Sequence, residues 1–358
     1  MSKYNKHIGI DFHKNFSYVM VMDKYGTITD QRKLFHAEVQ EVIRYFSSFS
    51  DSHNISVVLE ATRNWYWMVN LLQTIGFDVK LAHSKKVRII AESTIKTDKI
   101  DASVLAHLDR CNFLPQAYIA DKDTRSMREL LRYRMSLVKI RSSIKNRIHA
   151  VLSKHNISHP FSDLFGKAGI KFLKELDLPP IFRMETDGYL NILEHLRLLL
   201  SEIEKEIKNK CRENEYAKLL MGIPGISYFS ALLLAAEIAD ITRFKTFKKL
   251  VSYAGLASST KQTGDIRYQG HIIRDSNKYI RYAVIEAVPH AIKKDCKLFA
   301  LYNKVNRKKG NKKAKIAVAR KLIIFIYFML KNNTDYLGNR DYILEVNPMT
   351  KLGAYKAP

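Results

Sequence analysis

The pattern of apolar residues changes near residue 120, and this change limits the folds open to the chain. Before it, short β-branched runs alternate with helical ones. Residues 7–11 begin a strand, and residues 17–23 and 27–35 follow as two more, with Lys24-Tyr25-Gly26 as the turn between them. This predicts an antiparallel meander. A helix is expected over 39–49, a strand over 55–60 that ends in Glu60, a helix over 65–75, a strand over 77–82 and a helix over 85–93. Strand and helix alternating through 50–110 indicate parallel βαβ units.

After about Thr124 the apolar spacing is helical. Met127, Leu130, Leu131, Leu137, Val138, Ile144 and Ile148 recur at helix period. The same stretch carries Arg125, Arg128, Arg132, Arg134, Lys139, Arg141, Lys145 and Arg147, with Glu129 as its one acid. One side can pack while the other meets phosphates; the plainer reading is a solvated basic face. A looser segment, 155–180, holds Pro160, Gly166, Gly169, Pro179 and Pro180, and 189–211 resumes as a long amphipathic helix. Two long helices around an irregular segment predict an antiparallel coiled-coil arm, made within one chain or between two.

Gly222-Ile-Pro-Gly225 then sits between helical segments, like the turn of a helix-hairpin-helix. Gly222 and Gly225 would let backbone N–H groups approach a phosphate, or would simply make a tight connection. Residues 255–265, rich in hydroxyls and bounded by glycines, read as a loop, and 303–315 as a basic connector. The expected fold class is α/β plus all-α. Its parts are an RNase H-like domain over 1–120, a basic helical arm over 121–215, a mostly helical domain over 216–335, and a tail over 336–358.

Charge narrows the function. Sixty Lys and Arg oppose 35 Asp and Glu, a formal net of +25. A protein this basic points to a polyanion, with nucleic acid first. A membrane surface would concentrate the charge on one amphipathic helix, whereas here it is spread along the chain. Cys111, Cys211 and Cys296 lie far apart. That excludes paired zinc-ligand spacing and fits a reducing cytoplasm. No signal peptide is expected before the first strand, and the apolar run 322–330 is too short to span a bilayer.

Four carboxylates carry the expected chemistry. Asp11 ends the first strand, Glu60 ends the fourth, and Asp98 and Asp101 stand one helical turn apart at the start of a later helix. In the RNase H-like order of three antiparallel strands followed by βαβ units, the first and fourth strands are neighbours. Asp11 and Glu60 would then face each other, and a helix packed on the sheet could bring in the other two. Like charges this close need a cation, and Asp and Glu oxygens suit Mg²⁺, with Mn²⁺ as the alternative. Two such ions clamp the attacking and leaving oxygens of a phosphoryl displacement. Taken singly, Asp98 and Asp101 read equally as an N-cap and a solvated helix start.

Several motifs resemble one family. Gly9-Ile-Asp11-Phe-His13-Lys14, Leu59-Glu60-Ala-Thr, Lys96-Thr-Asp98-Lys-Ile-Asp101-Ala and Leu105-Ala106 look like the N-terminal domain of the DEDD transposases of the IS one-ten group. Gly222-Ile-Pro-Gly225-Ile, Phe244-x-x-Phe247, Tyr253-Ala-Gly-Leu256, and Gly270-His-Ile through Tyr279-Ile-Arg281 look like that group's C-terminal domain. The resemblance implies a RuvC-like first domain whose acidic tetrad is Asp11, Glu60, Asp98 and Asp101. It implies a serine nucleophile from the C-terminal domain and a covalent phosphoserine intermediate. It also implies guidance by a structured bridge RNA that pairs with donor and target DNA. The family assembles as a dimer of dimers whose active sites combine domains of two protomers, in a prokaryotic cytoplasm at the nucleoid.

The chain departs from this pattern at the nucleophile. The family's Gln-Ser-Gly or Ser-Ser-Gly is Gln262-Thr263-Gly264 here, and its loop proline is Ser258. Threonine keeps the hydroxyl but crowds an in-line attack with its methyl. Thr263, Ser258 and Ser259 all remain candidates, or the hydroxyls only cap turns. The family's Lys-x-Gly is Arg274-Asp-Ser276. Arg267, Arg274 and Arg281 are candidate phosphate holders. A RuvC-like resolvase using metal-activated water is the rival reading. It shares the tetrad but needs no covalent step.

Overall fold

The computed structural model describes residues 3–62, 64–91, 97–264, 266–273 and 275–336, with the side chains of Lys261, Arg267 and Gln269 excepted. Arg274 and the expected tail beyond Tyr336 lie outside these residues. The chain divides into two compact units, 1–120 and 121–358.

The first unit is built on a six-stranded sheet. Its elements are β1 (Lys6–Phe12), β2 (Phe16–Asp23), β3 (Ile28–Phe35), α1 (Val39–Ser47), β4 (Ile55–Glu60), α2 (Trp65–Ile75), β5 (Asp78–Ala82), α3 (Ser84–Ile90), α4 (Asp98–Arg110) and β6 (Gln116–Ala117). The strand order is β3-β2-β1-β4-β5-β6. The first three strands form the antiparallel meander, while β1–β4 and β4–β5 pair in parallel. The two-residue edge strand β6, antiparallel to β5, is too short to have left a periodic signal.

Strand alternation sorts the sheet's two faces. Ile8, Ile10, Phe12, Val57 and Leu59 pack with Val42 and Phe46 of α1 and Met68 and Leu72 of α2. The intervening residues face α4. There Met20 and Met22 meet Ala102 and Ala106, and Val58 and Ala82 meet Leu105. Gly9 makes this second contact close. A Cβ at residue 9 would overlap the Ala102 carbonyl oxygen and come within 2.8 Å of the Ala106 nitrogen. Small residues on both sides bring the α4 backbone down onto β1.

Among the described residues, the second unit is helical apart from one hairpin. It comprises α5 (Lys122–Lys154), α6 (Lys167–Glu175), α7 (Pro180–Glu213), α8 (Glu215–Leu220), α9 (Tyr228–Ile238), α10 (Phe247–Tyr253), β7 (Ser258–Thr263), β8 (Ile266–Ile272), α11 (Lys278–Lys294), α12 (Cys296–Lys309) and α13 (Asn311–Asn332). Leu131 packs in one cluster with Ile207, Leu137 with Leu196 and Leu200, and Ile148 with Leu190 and Leu193. Rising numbers on α5 meet falling numbers on α7, so the two helices run antiparallel. Helix α7 begins nine residues before the expected start, with Pro180 in its first turn, where the missing N–H costs no hydrogen bond. The apolar α9 is buried over most of its length, and α13 contributes to the same core.

Two expectations change. Residues 258–272 form an antiparallel hairpin, where a loop was expected through residue 265. Thr260 pairs with Gln269 and Thr263 with Ile266. The hydroxyl-rich composition hid it, although threonine is a good strand former and Gly264 supplies the φ of +57° at the turn. The basic run 303–315 is not a connector. It forms the last turns of α12 and the first of α13, broken at Gly310 with φ +79°.

Candidate active site

The carboxylates of the first unit are set out by β1 and α4. Asp11 follows Gly9 by two residues and so lies on the same face of β1, toward α4. Helix α4 starts at Asp98, capped by Thr97, whose side chain accepts the Ile100 N–H at 3.3 Å. Because Thr97 does the capping, Asp98 and Asp101 are not needed as the N-cap. One helix face then carries Asp98, Ala102, Ala106 and Asp109 along β1.

The far end of this contact is polar and buried. Asp109, 2% exposed, meets His7 Nδ1 at 2.5 Å and Lys80 Nζ at 2.7 Å. His7, Gly9 and Asp11 alternate along β1, so one strand face meets Asp109, the two alanines and Asp98 in turn. Burial alone would raise the Asp109 carboxyl. Its bonds to His7 and Lys80 outweigh this and leave it below the usual range.

At the near end the acids gather round His13. Its Nε2 lies 3.0 Å from Asp11 Oδ2 and 3.2 Å from Asp98 Oδ1. Ligand atoms of Asp11, His13 and Asp98 all fall within 4.8 Å of one another, close enough to share an ion. Burial raises the Asp11 carboxyl; His13 opposes this, and the charges of Asp101 and Asp98 add to it. That crowding is the electrostatic condition under which a divalent cation is favoured. His13 lies within the Gly9–Lys14 motif, but nothing in the sequence assigns it a role. The usable signal was its place two residues after Asp11, at the tip of the β1–β2 turn.

Glu60 ends β4, and Leu59 pairs with Ile10 in the parallel ladder. Alternation puts Glu60 on the α4 face, one strand over from Asp11. Among the described residues the three-ligand group contains neither Glu60 nor Asp101. A recess of about 750 Å³ beside β3 and α1 is lined by Arg32, Arg44 and Tyr45 and by none of the four acids.

In the second unit, Thr263 is exposed at the end of β7, with Ser258 at its start and Ser259 facing Gly270. Arg281 sits against Gly255, where a Cβ would come within 2.9 Å of its Nη1. Arg267 lies on β8. The basic helix α5 divides its cations. Arg125 is buried. Arg132 makes two bonds to the buried Glu237 carboxylate, at 2.9 and 3.1 Å. Arg128 donates to the carbonyls of Ala236 and Glu237. These three serve the interior. Lys139 is exposed and Arg141 half-buried, while Lys145 sits over the Phe165 ring at 4.4 Å.

Both units match known families. Residues 8–157 match the transposase model of the DEDD IS110 type, and 217–303 match the model "Transposase IS116/IS110/IS902 family". The chain is 25% identical over 283 residues to a transposase for insertion sequence element IS1328 from Yersinia enterocolitica, covering 78% of this chain and 81% of that one. It is 22% identical over 350 residues to the IS1111A transposase of Coxiella burnetii, covering 92% and 91%. A pilin gene-inverting protein of Moraxella bovis is 33% identical over 128 residues, covering 34% of this chain and 39% of that one. The class is therefore transposase. The chain belongs to the IS110 family of DEDD transposases. Membership implies DNA as substrate and use of a divalent metal. Among the described residues, no helix is long and apolar enough to cross a membrane.

Proposed function

We propose that this chain is an RNA-guided recombinase that cuts and rejoins DNA through a hydroxyl nucleophile and a metal-binding acidic site. The observation that carries this reading is the meeting of Asp11, His13 and Asp98 at one point, with Asp101 close enough to raise Asp11. The strand order β3-β2-β1-β4-β5 supports an RNase H-like, RuvC-like domain over residues 1–120. The antiparallel packing of α5 and α7 supports a coiled-coil arm over 121–215, ahead of a separate C-terminal domain over 216–335.

Asp11, Glu60, Asp98 and Asp101 would hold Mg²⁺ or Mn²⁺. Held there, the ion would supply charge stabilisation for the scissile phosphate and the leaving oxygen. The chain's own groups do the rest. Thr263 stands exposed at the tip of a hairpin whose turn is set by Gly264. Its Oγ1 attacks phosphorus, an Oγ1–P bond forms, and a sugar O–P bond breaks; the leaving sugar oxygen takes up the proton lost by the hydroxyl. Arg267, Arg274 and Arg281 flank this loop in sequence and are suited to holding phosphates. Lys139, Arg141 and Lys145 are the α5 cations proposed to meet the nucleic-acid backbone. The partners are donor and target DNA, a structured bridge RNA, and further copies of the chain in a dimer of dimers.

The test is strand transfer with the RNA present, read on denaturing gels for a protein–DNA adduct. Wild type forms the adduct, and Thr263→Ala loses both adduct and product while Thr263→Ser keeps them. Full activity of Thr263→Ala moves the nucleophile elsewhere. Products without any adduct would favour metal-activated water, as in a resolvase.

A further inference from the structure

The sheet of the first unit ends in an uncovered strand. β3 pairs with β2 on one side, and among the described residues no strand pairs with its other side. Leu34 alone of its residues is buried; the rest are exposed. Large apolar side chains stand exposed on the strand or beside it: Ile28, Phe35, Tyr25 and Val39. An open hydrogen-bonding edge with apolar groups at both ends is a surface that a second strand can extend. Charged residues on such an edge ordinarily keep other strands away. Here their order selects one partner.

Asp30 and Arg32 lie on one face of β3, and Tyr45 of α1 holds both. The Tyr45 hydroxyl donates to Asp30 Oδ2 at 2.9 Å, and the Arg32 guanidinium lies 5.3 Å from the ring centre. When two copies of an edge strand pair antiparallel about a twofold axis, each residue meets one from its own face. Even numbers therefore meet even, and odd meet odd. Centred on Asp30, the pairing sets two carboxylates against each other. Centred on Arg32, it sets two guanidinium groups together. Centred on Gln31, it puts Asp30 opposite Arg32 of the second copy, and Arg32 opposite its Asp30. Ile28 then faces Leu34, and Thr29 faces Lys33. Opposite charges directly across favour this register, and like charges disfavour its two neighbours. In the single chain the Gln31 N–H is bonded to Asp30 Oδ1 at 2.8 Å. A facing carbonyl can replace that local bond and release the carboxylate to the arginine.

We propose that β3 is a self-pairing edge, joining the six-stranded sheets of two copies of the chain about a twofold axis at Gln31. That axis stands perpendicular to the sheet, so the acidic sites of both copies open on the same face. Five strand spacings separate β1 from its counterpart, roughly 24 Å. Two acidic sites side by side suit cuts on two DNA strands. This last consequence rests on the proposed recombinase function, whereas the pairing itself does not.

The full chain is made with Cys111→Ser and Cys296→Ser, which remove its two exposed thiols. It then receives one of Asp30→Cys, Gln31→Cys or Arg32→Cys, is oxidised mildly without DNA or metal, and is run on non-reducing gels. Directly opposite residues put their Cα atoms about 4.5–5.5 Å apart, within disulfide reach, while diagonal ones lie about 7–8 Å apart. Gln31→Cys, on the axis, is expected to give a covalent dimer at least about tenfold faster than the other two, which meet their own copies diagonally. By sedimentation, Asp30→Arg should weaken dimerisation roughly tenfold, and adding Arg32→Asp should restore it. Gln31 lies on the opposite face from Tyr45, so the cross-link decides even where Asp30→Arg disturbs the fold. Faster cross-linking at residue 30 or 32, or none at any of the three, would overturn the proposal. A dimer formed through other surfaces leaves Gln31→Cys uncoupled and cannot imitate the expected result. Because no cleavage is read, failure of the recombinase reading leaves the outcome intact.

Discussion

At Gly9 one missing methyl group decides where two carboxylates sit. The α4 backbone lies so close to β1 that any side chain there must push the helix away. The buried His7–Asp109–Lys80 cluster fixes the other end of the same contact. Gly9→Ala should therefore cost about 2–4 kcal/mol of stability and weaken Mn²⁺ binding in a calorimetric titration. An alanine variant with wild-type metal affinity would show that α4 does not set the site. Sequence alone revealed the residue types here but not their pairing. Asp11, Glu60, Asp98 and Asp101 stood out through their order, Asp, Glu and Asp-x-x-Asp at element ends, in a chain of net charge +25. His7 and Asp109 did not, since residues 102 apart in sequence leave no local pattern. His13 was hidden because a single histidine at a turn has many ordinary uses.

Among the elements, α5 read as a helix with a packing side and a basic side, and its cations are divided between the interior and the surface. Glu237, fully buried on α9, takes two bonds from Arg132 and one from Asn277 at 2.7 Å. Asn277 in turn caps α11, just after the β7–β8 hairpin. The carboxylate thus ties the basic helix to the base of the element that carries Thr263. Removing it leaves Arg132 and Asn277 without that partner, and Glu237→Leu should lose about 3–5 kcal/mol in urea unfolding. An unchanged midpoint would mean the network contributes nothing. Periodicity revealed that α5 packs but could not say which cations pack with it, because that depends on an acid more than 100 residues later. Helix α13 makes a related point. Lys321 is buried, and burial pulls its pKa down to about 8 from the usual 10.5. Between those values the unfolded chain holds the proton more tightly, so stability rises with pH through that window. Lys321→Met should be more stable than wild type by about 1–3 kcal/mol near neutrality, and the gap should close above about pH 10. A constant gap across pH would exclude burial of charge as the cause.

For the whole molecule, the division into two units places the acids in one and the exposed hydroxyls of the hairpin in the other. The change of pattern near residue 120 was legible because strand and helix periods differ. The hairpin was not, because serine, threonine and glycine spell both loop and edge strand. On the proposed mechanism, phosphoryl transfer would draw on both units, with the first supplying a metal-binding acidic site. Strand transfer by Asp11→Ala, with Mg²⁺ and the structured RNA present, tests this most directly. The acidic-site account predicts a fall of at least about a thousandfold with the chain still folded and still binding DNA. Recombination at the wild-type rate would contradict it.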